Sequence, residues 1–341
     1  MLSENTPPLT FKERVEELWT VVRVLYIKLT YADKHEEELY NRFLVPEILK
    51  RRSRIPSFQE VKYSGSLVLG NTHVSVGQAI RLPQNYKHVG GYHIEGNVEP
   101  LPEGLKKIMD EAKNGVIYFS MGSNLNSKDM PEEMNINLLK MFGTLKQTII
   151  WKFEEELPGR PKNVHIVKWA PQPSILAHPN CVLFITHGGL LSTTETVYFG
   201  VPIIGIPIFA DQFTNVIRAV RRGIALRVDL SNAMADDLKI AIEEIVGNPK
   251  YTQTVKQLSK IFHDRQMTPG AELVYWVEHV IRTKGAPHLK SPALLLPWYQ
   301  KAYLDLAIII LIILIVALLF IRKLLCLSFA MKIVDGIKKK N

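Results

Sequence analysis

Between Gly115 and Val228 short apolar runs alternate with helical patterns, and this alternation restricts the fold more than any other feature of the chain. Gly115–Ser120 (GVIYFS), Thr148–Lys152, Val164–Val167, Val182–Thr186 (VLFIT), Pro202–Ile206 and Ala225–Val228 read as strands. Pro131–Lys146, Leu190–Phe199 and Gln212–Arg222 read as helices, and two or three more helices run on to Thr283. Strands that alternate with helices argue for a parallel, doubly wound α/β sheet. Ligands of such sheets bind outside the carboxyl ends of the strands. Two glycine-bearing turns, Met121–Asn124 and His187–Gly189, fall at strand ends. Ahead of this unit, Phe11–Tyr31 places Val15, Leu18, Trp19 and Val22 at helical spacing, and the charged stretch Glu36–Lys50 is similar. Ser66–Val76 reads as a strand and its turn, and Tyr92–Pro102, rich in Pro and Gly, as a linker.

Ala302–Ile321 (AYLDLAIIILIILIVALLFI) is apolar on every face over 20 residues, with Asp305 its one charge. About 20 such residues span the hydrocarbon core of a bilayer, whereas a buried core helix would rarely be apolar on every face and then stop at Arg322-Lys323. Trp298, Tyr299 and Tyr303 precede the run as an interfacial aromatic belt would. The net charge of +9 is concentrated behind it: Arg322–Asn341 holds six basic residues and one acid, so five of the nine charges flank the apolar run. This is a membrane-flanking tail and not a nucleic-acid surface. The positive side places the C-terminus in the cytosol and the globular part in the lumen. The terminal Lys338-Lys339-Lys340-Asn341 matches a dilysine endoplasmic-reticulum retrieval signal. The expected location is therefore the endoplasmic-reticulum membrane, single-pass type I. Met1–Thr10 is polar and Pro-rich, with no apolar h-region before residue 20. A lumenal domain without a translocation signal implies a natural beginning upstream of Met1; tail-anchored insertion would instead leave the folded part in the cytosol.

A length of 341 residues allows one to three domains. With 47% hydrophobic and 22% charged residues the composition is globular. The two cysteines, Cys181 and Cys326, cannot form a disulfide framework. The ten histidines and two cysteines show no metal-ligand spacing. Neither a G-x-G-x-x-G fingerprint nor a Walker-type loop occurs, which argues against a nicotinamide dehydrogenase on a similar sheet.

The most specific stretch is Trp169–Gln212, WAPQPSILAHPNCVLFITHGGLLSTTETVYFGVPIIGIPIFADQ. It closely resembles the signature of the UDP-glycosyltransferases, the family of the animal glucuronosyl- and glucosyltransferases. The resemblance extends from Phe11-Lys12-Glu13-Arg14-Val15 through Val89-Gly90-Gly91-Tyr92-His93-Ile94 and Phe119-Ser120-Met121-Gly122-Ser123. It continues to Lys284-Gly285-Ala286-Pro287-His288-Leu289 and the C-terminal anchor. It implies a GT-B fold with one complete Rossmann-like donor domain, a remnant of the N-terminal acceptor domain and a C-terminal transmembrane helix. The expected organisation is 1–95 acceptor-domain remnant, 96–104 linker, 105–297 UDP-sugar-binding domain, 302–321 transmembrane helix and 322–341 basic cytosolic tail.

The resemblance also implies roles. Backbone N–H groups at a helix start, here around Gly189 to Ser192, favour a diphosphate. His187 and Ser123 would hydrogen-bond phosphate oxygens and stabilise charge as UDP leaves. Glu195, eight residues after His187 on the same helix, matches the residue that accepts hydrogen bonds from both ribose hydroxyls. Trp169 resembles the ring that stacks on uracil, and Gln172 the amide that bonds the nucleoside. Asp211-Gln212 resembles the pair that holds sugar hydroxyls; Asp211 also suits a helix N-terminus, and both readings can hold. Family members often carry Asn where Leu191 stands, so one side-chain contact is lost here. No Asp-x-Asp triplet occurs, which fits a metal-independent site with UDP-sugar as co-substrate and no cofactor.

In the family the N-terminal half supplies a His base, oriented by an Asp, that deprotonates the acceptor hydroxyl for one inverting displacement at the anomeric carbon. Neither His35 nor His73 matches that motif, so no catalytic residue is assigned and the base is expected in the missing N-terminal part. The implied function is transfer of a glucosyl or glucuronosyl group from UDP to a small lipophilic acceptor. The implied partners are the membrane and related transferases, as homo- or hetero-oligomers. The alternative is a non-catalytic chain that binds UDP-sugar or pairs with full-length transferases.

Overall fold

The computed structural model describes residues 9–51, 53–77, 81–94, 98–122 and 130–338. The first part is almost continuous helix. Helix α1 (Phe11–Ile27) begins with a capping box between Thr10 and Glu13. It passes through wider π turns at Lys28–Ala32 and Tyr40–Leu44 into α2 (Asp33–Leu39) and α3 (Val45–Leu49). The short α4 (Phe58–Lys62) follows, with a second capping box from Ser57 and Glu60. A two-stranded parallel sheet pairs β1 (Val68–Gly70) with β2 (Tyr86–His88). Tyr-Lys-His carries no apolar alternation, so only its pairing across to β1 makes β2 a strand.

The α/β unit opens with α5 (Glu103–Asp110) and β3 (Val116–Ser120). It continues through α6 (Glu132–Gly143), β4 (Thr148–Lys152), β5 (Val164–Val167), α7 (Gln172–Ala177), β6 (Cys181–Thr186), α8 (Leu190–Phe199), β7 (Ile203–Gly205), α9 (Gln212–Arg221) and β8 (Ala225–Arg227). Helices α10 (Met234–Gly247), α11 (Pro249–His263) and α12 (Pro269–Arg282) close it. The strand order is β5-β4-β3-β6-β7-β8, all neighbours parallel. The first and fourth strands of the unit are thus adjacent at the centre, which is the doubly wound arrangement.

Both faces of this sheet are covered, so its strands read as unbroken apolar runs. Successive side chains point to opposite faces. Ile117 and Phe119 of β3 join Trp151, Leu138, Phe142 and Leu238 in one core, while Val116 and Tyr118 join Phe184, Ile175, Val255 and Phe262 in the other. The chain then passes α13 (Trp298–Lys301) into α14 (Leu304–Lys338), of which Leu304–Cys326 is 23 residues long with mean hydropathy 3.4 and none of it buried. At 1.5 Å per residue that segment is about 35 Å long, enough to cross a bilayer core.

Candidate functional site

At the switch point of the sheet, the turns after β3 and β6 lie side by side, as the strand order requires. A cleft of about 640 Å³ opens over them. It draws side chains from beyond the carboxyl ends of β3 to β7: Gly122, Lys152, Trp169 with Gln172, His187 with Gly189, and Asp211 with Gln212. Ser192 and Glu195 join from α8. Eight of the nine residues singled out in the sequence therefore line one cleft; the ninth, Ser123, lies outside the described residues.

His187 sits in the turn between β6 and α8, ahead of the helix rather than on it, and Gly189 is the N-cap. The imidazole is clamped between two glycines. A Cβ on Gly122, where φ is +83°, would lie 2.5 Å from His187 Cε1, and one on Gly189 would lie 2.6 Å from Nε2. Burial pushes the His187 pKa below its ordinary 6.5, with Asp211 opposing, so the ring is neutral at pH 7. Its Nδ1 is buried without a hydrogen bond among the described residues. Gly189 has no side chain to cap α8, so among the described residues the first-turn amides receive no side-chain cap.

One turn further along α8, Glu195 is 7% exposed. Its Oε2 accepts a 2.5 Å hydrogen bond from Gln172 Nε2, which also donates to Ser192 Oγ at 3.1 Å. The other carboxylate oxygen, Oε1, faces His93 Nε2 at 3.5 Å. Gln172 is the first residue of α7, a helix tied down by Ser174 Oγ donating to Glu99 O at 2.7 Å. Trp169 stands just before it, 75% exposed, so nothing in the core holds its ring face. On the opposite wall Ala210 adopts a left-handed conformation (φ +55°), which costs a non-glycine residue about 1–2 kcal/mol. Gln212 Oε1 spans that turn by accepting from Ile208 N at 2.8 Å and Phe209 N at 3.0 Å. Asp211 occupies the N-cap position of α9 but makes no capping bond; its Oδ2 accepts from Asn215 Nδ2 at 2.9 Å.

Sequence reasoning missed several cleft residues. Lys152, 8% exposed at the end of β4, donates to Gly122 O at 2.7 Å, pairs with Glu154 at 3.2 Å and lies 5.7 Å from the Trp169 ring centre. A lysine closing a buried strand at its carboxyl end was the available signal. Asn71, after β1, and Phe209 also line the cleft. Tyr92–Ile94, read as linker, is a packed turn that carries His93. His35 and His73 lie elsewhere. His35 stacks on Tyr31, and His73 packs edge-on to Phe262 at 4.8 Å with Nδ1 on Ser75 Oγ at 2.8 Å.

Residues 1–341 match the family described as "UDP-glucoronosyl and UDP-glucosyl transferase". The chain is 41% identical over 270 residues to UDP-glycosyltransferase UGT5 of Dactylopius coccus, a match covering 79% of this chain and 51% of that protein. It is 35% identical over 346 residues to UDP-glucuronosyltransferase 2B15 of Homo sapiens, covering 100% of this chain and 62% of the other. The chain thus spans between about half and two thirds of the length of these relatives. Among solved structures it resembles the glycotransferase of kitacinnamycin, with a TM-score of 0.56 at 19% identity over 78% of this chain and 68% of that one. It also resembles the spinosyn forosaminyltransferase SpnP, with a TM-score of 0.55 at 16% identity over 67% and 58%. These likenesses identify the fold as GT-B.

Proposed function

The chain belongs to the UDP-glucuronosyl and UDP-glucosyl transferase family, and we propose that its cleft holds the UDP-sugar of a hexosyl transfer. The observation that carries this reading is the single cleft shared by Trp169, Gln172, His187, Glu195, Asp211 and Gln212 over the switch point. The ring of Trp169 offers a stacking face for uracil. Glu195 presents a carboxylate to the two ribose hydroxyls, and Gln172 holds both that carboxylate and the nucleoside. The first-turn amides of α8, with neutral His187, receive the diphosphate. Lys152 puts a positive charge on the same wall. Asp211 and the Gln212 amide face the hexose, glucosyl or glucuronosyl.

In the reaction an acceptor oxygen attacks the anomeric carbon from the face opposite UDP, the C–O bond to the diphosphate breaks, and configuration inverts. Hydrogen bonds from His187 and the α8 amides stabilise the charge that develops on the departing diphosphate. The proton of a small lipophilic acceptor goes to a general base, and none of the cleft residues is assigned that task. UDP-sugar is a co-substrate, and the site works without a metal. We assign 1–95 to the acceptor-domain side, 96–104 to the linker and 105–297 to the donor domain. Residues 302–321 cross the endoplasmic-reticulum membrane, the globular part is lumenal, and 322–341 form a cytosolic basic tail.

Calorimetric titration of the full chain in detergent with UDP tests the reading. Wild type is expected to bind, and Glu195→Ala to bind at least about tenfold more weakly, 1.4 kcal/mol or more. A folded wild type that ignores UDP refutes it. Binding without transfer from UDP-glucose or UDP-glucuronate to lipophilic phenols would favour a non-catalytic role.

A further inference from the structure

We propose that His93 is a positioning residue of the donor site, fixing the orientation of the Glu195 carboxylate toward the ribose hydroxyls; the proposal rests on the reading of the cleft as a UDP-sugar site. Glu195 has two carboxylate oxygens and two separate elements face them. Gln172 of α7 holds Oε2 at 2.5 Å, and His93 Nε2 stands 3.5 Å from Oε1. The His93 and Glu195 side chains are 18% and 9% exposed. Neither ring nitrogen of His93 makes a hydrogen bond among the described residues, so the 3.5 Å approach to Glu195 Oε1 is its one polar engagement there. At 3.5 Å the contact is longer than a normal N–H···O bond. Hydrogen bonds of unliganded sites are often long and tighten in the complex.

The backbone that presents His93 is fixed from both sides. Gly90 N donates to Thr72 O at 3.0 Å, and Gly90 O accepts from Arg265 Nη2 at 2.9 Å. A Cβ on Gly90 would lie 2.6 Å from the Thr72 carbonyl, and one on Gly91, where φ is +93°, would lie 3.0 Å from the Phe262 ring. Only glycines fit this passage between the β1 loop and α11. Ile94 N then donates to Gly91 O at 2.9 Å, closing a turn with Tyr92 and His93 at its apex. A side chain held so firmly and aimed at a buried carboxylate acts as a stop. It leaves Glu195 one orientation in which both oxygens can accept from adjacent hydroxyls. The Nε2–H tautomer is the one this role requires. The donor site is then completed from outside the α/β unit, by the chain that enters it.

The readout is ribose discrimination. Full-length chain in detergent is titrated with UDP and with 2′-deoxy-UDP, for wild type, His93→Phe (volume kept, N–H lost) and His93→Gln (N–H kept). Wild type is expected to prefer UDP by about tenfold, equivalent to 1.4 kcal/mol. His93→Phe should lose most of that preference by weakening UDP while leaving 2′-deoxy-UDP within about twofold, a change below half a kcal/mol. His93→Gln should retain the preference. Equal weakening of both ligands in His93→Phe, an unchanged preference, or a loss shared by His93→Gln would overturn the proposal and leave the donor reading intact. Failure of folded wild type to bind UDP would bring down both.

Discussion

Replacing Gly122 by alanine should weaken diphosphate binding by somewhat more than it strains the fold. At φ +83° an alanine is strained by about 1–2 kcal/mol. Its Cβ would lie 2.5 Å from His187 Cε1 and 3.1 Å from both ring nitrogens. Carbon atoms in contact prefer about 3.5–4.0 Å, so the imidazole must move by roughly 1 Å. A shift of that size takes a donor out of hydrogen-bond range. A hydrogen bond to a charged group contributes about 1.5–3 kcal/mol, so UDP affinity should fall by about ten- to a hundredfold. Uridine, which has no diphosphate, should bind as before. The melting temperature should fall by about 2–8 °C at 2–4 °C per kcal/mol for a unit of this size. Calorimetry with UDP and uridine on the same sample separates the two effects. UDP binding within twofold of wild type would refute the clamp, and equal loss of uridine and UDP would assign the damage to the fold.

Two further outcomes follow from the same geometry. Trp169→Ala should leave the melting temperature unchanged, because the ring is 75% exposed, yet weaken both uridine and UDP by about 1–3 kcal/mol, the usual contribution of base stacking; a loss confined to UDP would contradict a uracil platform. His73 is pushed from its ordinary 6.5 down to about 4, first by burial and then by the charges of Arg265 and His88. Its unfolded form takes up a proton first, so its contribution to stability is complete above pH 6.5 and is lost as pH falls toward 4. Denaturant unfolding across that range should show a shallower acid limb in His73→Gln than in wild type, and parallel limbs would refute the assignment.

What the sequence discloses and what it hides divide along a physical line. Strands β4 and β5 and helix α8 match their expected bounds residue for residue, because strands buried on both faces are continuously apolar and α8 ends at Gly200 in the left-handed conformation. The residues that line the cleft were also legible, since the motif places them at fixed offsets from strand ends. Other elements were not. Strand β2 is a strand only through its pairing with β1. The six-residue α7, entered through Pro171 and carrying Pro173, is too short to show a period. Lys152 and His93 belong to a third class: the first holds the Gly122 turn from a neighbouring strand, and the second reaches Glu195 from a turn about a hundred residues earlier. Side chains that meet a ligand must sit at positions set by the local strand–turn–helix unit, so local pattern finds them. Side chains that orient those groups need only be near in space, so any segment the fold brings alongside can supply them. In this chain the start of the segment read as linker does so, just after the Gly90-Gly91 passage threaded between Thr72 and Phe262. If the cleft holds UDP as proposed, a change in how the first ninety residues pack against the six-stranded sheet should reach Glu195 through His93, which stands 3.5 Å from its Oε1.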